Sequence, residues 1–335
     1  MAPIRNDIMS KVLLIKKGFF EKIEPIMKRR LKDIKGKKVA VKVHMGEYGN
    51  IYHIRPAVLG RVVEIIKDMG GKPFVFDTLA KYRGSRDTVK KYQETARKNG
   101  FTQESIGCPI MILDKMKTFR SKNFELEMPE YAMDSDVLVV VSHGKGHAHC
   151  AGFGGAIKNI GMGMISPKSK GEMHRAGGPK LVGKCSICKA CEEECLFGHM
   201  TVKKEAVISD SCIGCGRCIK ACPNNALAYL KASLGTLLTE PLQVVSKQIG
   251  DIFYVTALVN ITSRCDCAAD SGPPQMKDIG FLVSEDPVAI DKAAIDLIKK
   301  EKPDFFEEMG LEPMDQIKAA EKYKLGSSKY ELEEI

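Results

Sequence analysis

The chain has 335 residues, of which 44% are hydrophobic and 28% charged, and its formal net charge is +10. This length allows one large or two ordinary domains, and the hydrophobic content is sufficient for packed cores. A transmembrane helix is not expected, because no stretch of about 18 uncharged apolar residues occurs. A signal peptide is not expected either, because Arg5, Asp7 and Lys11 flank the first residues and charges resume after a short apolar run.

Residues 1–36 are predicted to form an N-terminal helical segment. Ile15, Phe19, Ile23 and Ile26 recur at roughly helical spacing among lysines and arginines. A basic amphipathic helix can lie on a membrane surface, but we favour a helix packed at the edge of the fold.

From residue 37 onward, predicted strands and helices alternate. The strands are expected at 38–44, 73–77, 110–113 and 137–141, and the helices at 56–69 and 85–99. In the first strand Val39, Val41 and Val43 alternate with other residues, and Gly70 follows the first helix. This rhythm is typical of an α/β fold, with a mostly parallel, Rossmann-like sheet covered by helices.

The α/β pattern fills residues 37–180 and resumes in residues 231–335. In the second part we predict strands at 252–259 and 280–284 and a helix at 287–300. Residues 181–230 therefore form an insertion between two parts of one α/β domain.

The insertion contains eight of the twelve cysteines, in two runs with the same spacing. The runs are Cys185, Cys188, Cys191, Cys195 and, 27 residues later, Cys212, Cys215, Cys218, Cys222. The two-residue gaps let a tight loop aim three thiolates at one iron–sulfur cluster, and the fourth cysteine of each run binds the other cluster. The spacing predicts two 4Fe-4S clusters, one held by Cys185, Cys188, Cys191 and Cys222 and the other by Cys212, Cys215, Cys218 and Cys195.

Two other interpretations of the cysteines are less consistent with the spacing. Zinc sites usually have paired Cys-x2-Cys elements separated by a longer spacer, and disulfide frameworks belong to small secreted chains. Residues 181–230 resemble a bacterial-type ferredoxin, which implies an inserted α+β domain with two clusters. Leu196 follows the first run where that pattern has a proline. Such clusters suit a reducing cytoplasm.

The positive charge lies mainly outside this insertion, which has six Lys/Arg and five Asp/Glu. The excess either covers a solvated surface or attracts an anionic partner, such as an acidic redox protein or a polyanionic coenzyme. No nucleic-acid partner is expected, because no basic stretch interleaved with aromatic residues occurs. A homo-oligomer is compatible with the sequence.

Polar residues gather where the predicted strands end, and ligands of open α/β sheets bind at that edge. After strand 137–141 come His143, Lys145, His147, His149, Gly152, Gly154, Gly155, Lys158 and Asn159; after strand 252–259 come Cys265 and Cys267. The histidines and cysteines could bind a further metal, or the lysines and glycine N–H groups could bind an anion. A glycine-rich turn with surface histidines is the alternative.

We take the three histidines and Lys158 as catalytic candidates and the others as ligand-binding candidates. Cys265 and Cys267 could ligate a metal, form a redox disulfide or be buried thiols.

Several segments resemble iron–sulfur members of a domain-of-unknown-function family, number 362. They are 39–43, 54–56, 155–161, the Cys-Asp-Cys element at 265–267, and 278–291 with its Asp-Pro-Val-Ala-Ile-Asp run. The stretch 149–158 is also similar to nickel-pincer lactate racemases, whose lysine holds the cofactor. That resemblance implies a site at His149 and Lys158.

Three functions are compatible with these patterns. The first is an oxidoreductase that passes single electrons through two clusters between a redox protein and a ligand at the rim, such as a flavin or deazaflavin coenzyme. The second is an electron-transfer protein without catalysis, and the third is a metal- or pincer-dependent racemase or lyase with structural clusters. No Gly-x-Gly-x-x-Gly motif follows the first strand, which argues against a standard NAD site.

Overall fold

The computed structural model describes residues 9–147, 151–308, 310 and 312–335. The strands are β1 (Ser10–Ile15), β2 (Lys38–Lys42), β3 (Lys72–Phe76), β4 (Ile110–Met111), β5 (Met116–Phe119), β6 (Leu126–Pro129), β7 (Val137–His143), β8 (Lys145–His147), β9 (Gly152–Gly154), β10 (Pro179–Leu181), β11 (Met200–Val202), β12 (Ala206–Ile208), β13 (Leu227–Tyr229), β14 (Asp251–Leu258), β15 (Gly280–Ser284) and β16 (Tyr330–Glu334). The helices are α1 (Phe19–Arg30), α2 (Pro56–Asp68), α3 (Val89–Lys98), α4 (Gln103–Ile106), α5 (Glu130–Met133), α6 (Ala156–Gly161), α7 (Pro167–Ala176), α8 (Ala190–Glu193), α9 (Arg217–Ala221), α10 (Leu234–Gln248), α11 (Pro287–Glu301) and α12 (Met314–Lys322).

Eight strands form one sheet in the order β16-β1-β15-β14-β7-β2-β3-β4. β15 runs antiparallel to both of its neighbours, and every other adjacent pair is parallel. The predicted α/β fold with a mostly parallel sheet is therefore confirmed.

A hydrophobic core lies on each face of the sheet. Successive side chains of its strands point to opposite sides and enter these two cores in turn. In β2, Val39 and Val41 belong to a core with helices α1 to α4, whereas Ala40 belongs to the opposite core with α6, α7 and α10 to α12. The helices thus form a layer on each side of the sheet.

The prediction that residues 1–36 are helical is wrong at its start, because Ser10–Ile15 is strand β1. Val12 and Leu14 enter one core and Leu13 and Ile15 the other. A short apolar run buried on both faces has no period of its own, so spacing alone does not distinguish strand from helix. The helix begins at Phe19, and Phe19, Ile23 and Ile26 form its buried face against the core.

The predicted helix 85–99 is shorter than expected and begins at Val89, after the N-cap Thr88. Residues 85–88 are irregular instead, and this brings Arg86 into the interior. Among the described residues, no helix is long and apolar enough to span a bilayer.

The cysteine-rich insertion begins and ends side by side. β10 pairs antiparallel with β13 through Pro179 and Tyr229, Lys180 and Ala228, and Leu181 and Leu227. β11 and β12 form a hairpin between them. The backbone N–H of Leu230 donates to Gly178 O at 2.7 Å, which joins the end of the insertion to α7 of the body.

Candidate functional site

A cavity of about 280 Å³ lies where β2, β3, β7 and β14 end. The body contributes most of its wall, including Cys265 and Cys267 from the loop after β14. The cysteine-rich insertion contributes Phe197 and Ile213. The wall therefore joins the rim of the sheet to the second part of the insertion.

The cavity is rich in cationic groups. Five Lys/Arg and two Asp residues line it, together with four histidines: Lys81, Arg86, Lys145, Lys158 and Lys170; Asp77 and Asp266; His44, His143, His147 and His174. This excess of positive charge favours an anionic ligand.

A buried network occupies the end of β2 and β3. Lys42 Nζ donates to Asp77 Oδ1 and to Asn159 Oδ1, both at 2.8 Å, and the Tyr92 hydroxyl donates to Asp77. Burial alone would raise the pKa of Asp77, but the Lys42 ammonium and other partners lower it to about 2. The pair is therefore charged, and the buried Lys42 balances the charge of Asp77, which lines the cavity.

A second network centres on Asp266, between the two rim cysteines. Lys145 donates to one carboxylate oxygen, and His143 Nδ1 lies 3.0 Å from the other. Burial opposes the charge of Asp266, but Lys145 and His143 lower its pKa well below the ordinary value. Burial, and then Lys145, lower the pKa of His143. Its Nδ1 faces Asp266 and its Nε2 lies 2.6 Å from the carbonyl oxygen of Val259, so the position of the ring is fixed.

Helix α7 adds two residues that the sequence did not suggest. Lys170 donates to Thr78 Oγ1 at 2.7 Å, and burial lowers the pKa of this lysine to about 7. His174 Nδ1 lies 2.8 Å from the carbonyl oxygen of Ile213, and burial lowers its pKa to about 4. Ser166 caps the helix and Pro167 begins it. This sequence signal for the start of a helix would have placed Lys170 and His174 one turn apart on one face.

Arg86 and Tyr82 also line the cavity, although no motif identified them, and so does His44, which was expected at the rim from its place after the first strand. Arg86 Nε donates to Glu47 Oε2 at 3.0 Å, and the guanidinium lies 5.4 Å from the ring centre of Tyr92. These groups follow strands β2 and β3, whose carboxyl ends the sequence analysis located without assigning them roles.

The structure brings most of the predicted rim residues together. His143, Lys145, His147, Gly154, Gly155, Lys158, Asn159, Cys265 and Cys267 all line the cavity. Gly152 does not. It pairs with His147 in the hairpin of β8 and β9. His149 lies outside the described residues.

Some of these groups are occupied by partners within the protein. The N–H groups of Ala156 and Ile157, at the start of α6, donate to Asp291 at 2.7 and 2.9 Å. A Cβ on Gly155 would lie 2.3 Å from that carboxylate, so the glycine permits this contact. Asp291 therefore occupies the N–H groups of Ala156 and Ile157, whereas the predicted anion site uses the N–H groups of the preceding glycines. Of the predicted cations, Lys158 lines the cavity and Lys145 binds Asp266.

His147, Cys265 and Cys267 form a separate group within the cavity. One ligand atom from each lies within 4.8 Å of the others, the single set of this kind in the part of the chain that the structure describes. Cys265 and Cys267 are joined by a disulfide. This group can serve as a redox pair or, when reduced, as metal ligands.

The two cysteine runs share one backbone path. Residues with positive φ occur at Ile187, Lys189 and Gly198 and, 27 residues later, at Gly214, Gly216 and Asn225. The hydrogen bonds to sulfur repeat as well: Ile187 and Gly214 N–H groups each donate to the first cysteine of their run at 3.4 Å. His199 and Ala226 N–H groups donate to the fourth cysteines at 3.2 and 3.3 Å.

Each run exchanges its fourth cysteine with the other. Cys185, Cys188, Cys191 and Cys222 line one small cavity. Burial raises the pKa of Cys218 to about 12, and the thiols of Cys215, Cys212 and Cys195 act in the same direction, followed by Cys191 of the first set. These are the two sets that the spacing predicts to share a metal cluster.

The chain is similar to known proteins over most of its length. The model of the family described as Domain of unknown function (DUF362) matches residues 39–296. No curated protein matches the chain.

Two solved structures are similar to the chain. A Thermotoga maritima protein from a structural genomics consortium has a TM-score of 0.47 and 11% identity, over 84% of this chain and 59% of that one. The lactate racemase apoprotein from Thermoanaerobacterium thermosaccharolyticum has a TM-score of 0.39 and 14% identity, over 88% of this chain and 58% of that one. The chain thus spans less than two thirds of each. Because the family model covers well over half of the 335 residues, the chain belongs to the family described as Domain of unknown function (DUF362).

Proposed function

We propose that the protein is an iron–sulfur oxidoreductase that passes single electrons between a redox partner protein and an anionic redox ligand in the cavity. The observation that carries this proposal is the position of Phe197 and Ile213 in the cavity wall. Phe197 lies two residues after Cys195, and Ile213 directly follows Cys212. A ligand in the cavity therefore lies beside the second set of cysteines.

The spread of the sulfur atoms supports clusters over zinc. Two thiolates bound to one zinc at about 2.3 Å lie at most about 4.6 Å apart. Among the described residues, only His147, Cys265 and Cys267 gather three ligand atoms within 4.8 Å. Each cysteine quartet is thus more widely spaced than one zinc ion requires, which suits a larger group bound between its members.

The packing of the insertion also supports a bound group. Its buried core consists of Cys191, Met200, Val202, Ala206, Cys218 and Leu227. So small a core stabilises a segment of this length weakly unless a metal group adds to it. Ile187 has φ 60°, a strained conformation for a β-branched residue that persists where surrounding interactions fix it.

When bound, 4Fe-4S clusters supply single-electron transfer. The other groups of the cavity would hold the ligand and manage protons. Lys158 and the neighbouring cations favour an anion, and the His147 imidazole can form a hydrogen bond with the ligand. A cavity of about 280 Å³ accepts the ring of a flavin or deazaflavin coenzyme, with the remainder of a large coenzyme outside it.

The first experiment is isolation of the protein under strict exclusion of oxygen. We expect about eight iron and eight sulfide per chain and a broad visible absorption that bleaches on reduction. A colourless protein that contains zinc, or no metal, would contradict the proposal. The spectrum after denaturation would also show any released organic cofactor.

A metal-dependent racemase or lyase is the second candidate, because His147, Cys265 and Cys267 converge. Elemental analysis separates the two: nickel or zinc beyond the cluster iron, removed by replacing Cys265 and Cys267, would favour the second candidate. An electron carrier without catalysis would neither copurify with nor reduce any carrier offered to it.

A further inference from the structure

The Cys265–Cys267 disulfide closes a very short loop at the edge of the cavity. Its two cysteines are separated by one residue, and Cys265 is only 6% exposed. A cross-link over so short a segment constrains the unfolded chain less than one over a long loop. Stabilisation therefore explains this disulfide poorly, whereas its position in the cavity wall gives it access to a ligand.

The loop that carries the disulfide is held firmly. The Glu47 N–H donates to the backbone oxygen of Asp266 at 2.8 Å. The Tyr82 hydroxyl donates to the backbone oxygen of Cys267 at 2.9 Å. The Asp266 side chain is bound by Lys145 and His143. Three elements of the body thus fix the two sulfur atoms at one place in the wall.

A histidine lies beside the sulfur atoms. The Ala151 N–H donates to His147 Nδ1 at 3.2 Å, so the neutral imidazole carries its proton on Nε2. One ring nitrogen and both sulfurs lie within 4.8 Å of one another. His147 is therefore placed to form a hydrogen bond with a thiol or thiolate that forms when the S–S bond breaks.

We infer that Cys265 and Cys267 form a redox-active pair that collects two single electrons and presents them as a pair in the cavity. This inference rests on the proposed function, because the electrons come one at a time from a reduced partner protein through the cysteine-rich insertion. Two electrons break the S–S bond, and two protons taken up from water complete the two S–H groups. In reverse, the dithiol transfers two electrons and two protons to an oxidised ligand, and the disulfide forms again.

The test follows the thiol state of one peptide. Trypsin cleavage after Arg264 and Lys277 releases a peptide that contains Cys265, Cys267 and no other cysteine. Iron-loaded protein is reduced with a bacterial 4Fe-4S ferredoxin, quenched in acid, denatured, alkylated and analysed by mass spectrometry. We expect no label on this peptide before reduction and two labels afterward, while the buried free Cys108 is labelled in both samples.

Cys215→Ser is the matched control, since it removes a ligand of the cluster predicted beside the cavity. In this variant ferredoxin should reduce the disulfide at least tenfold more slowly, whereas dithiothreitol should reduce it as fast as in the wild type. Wild-type protein should accept about four electrons per chain, and Cys265→Ser/Cys267→Ser protein about two.

The outcomes distinguish the two proposals. Protein without iron would refute the proposed function. Iron-loaded protein whose clusters bleach while the peptide stays unlabelled would refute the inference alone, as would equal reduction rates in wild-type and Cys215→Ser protein. Two free thiols before reduction would also refute it.

Discussion

The two cysteine runs have the same spacing and backbone path but different surroundings. In the first run Cys188 is exposed, and so are Val182 and Ile187, at 55% and 49%. In the second run Gly214 packs against α7, where a Cβ would lie 2.6 Å from the backbone oxygen of His174. The duplication therefore preserves the loop geometry proposed to bind a cluster, while the surroundings separate a solvent-facing end from a cavity-facing end.

This difference indicates a direction of transfer. We propose that the partner protein docks at the first run, where Val182, Ile187 and Cys188 are exposed. The second run would serve the ligand.

The largest effect is expected from removing one ligand at each end. Cys188→Ser and Cys215→Ser should each lower the iron content by about half. Only Cys188→Ser should slow reduction of the remaining cluster by ferredoxin, by tenfold or more, because Cys215→Ser leaves the exposed end intact. Anaerobic stopped-flow absorbance measures the rate of cluster reduction. Equal rates in the two variants would contradict the proposed direction of electron transfer.

The cavity-facing end can be tested through Lys170, a buried residue of α7 that lines the cavity. Its pKa in the folded protein is about 7, against an ordinary value of 10.5. Between these two values the unfolded chain holds a proton that the folded chain lacks, so this residue makes stability rise with pH from about 7 to 10.5. Lys170→Met should reduce this pH-dependent increase in the free energy of unfolding by a few kcal/mol. Urea midpoints at several pH values measure it, and Lys168→Met, on the exposed face of α7, is the control. Parallel profiles for wild type and Lys170→Met would show that this lysine is not buried as described.

A smaller effect is expected at a matched pair of positions in the two loops. Gly214 has φ 66° and Ile187 has φ 60°, but only Gly214 lies against backbone. Gly214→Ala should lower the free energy of unfolding by about 2 kcal/mol or more, and Ile187→Gly should change it by less than about 1 kcal/mol. Thermal loss of visible absorbance compares them. A greater loss for Ile187→Gly would contradict the difference in packing.

The smallest effect concerns ligand binding at the cavity-facing end. Lys158→Ala should weaken binding of flavin mononucleotide about tenfold, a larger effect than its effect on thermal stability, because Lys158 lines the cavity. Quenching of flavin fluorescence measures the affinity, and Lys168→Ala serves as the surface control. An equal loss of stability and affinity would assign Lys158 a structural role.

Much of the fold follows from local pattern, because strands 137–141 and 280–284 are apolar runs bounded by turns. The order of the strands and the antiparallel direction of β15 do not follow, since they depend on contacts far apart in the chain. At the site, the loop after β7 could be identified from its histidines and glycines. Lys170 and Arg86 could not, because each becomes part of the wall only when distant segments pack together.

The pairing of β10 with β13 has a consequence for how the architecture was assembled. β7 and β14 are neighbours in the sheet, and the whole insertion lies within the connection between them. Because that insertion leaves and re-enters at adjacent points, it lengthens one crossover without altering the order of the strands. The cysteine-rich insertion is therefore separable from its host in topology, because the strand order of the sheet does not depend on it.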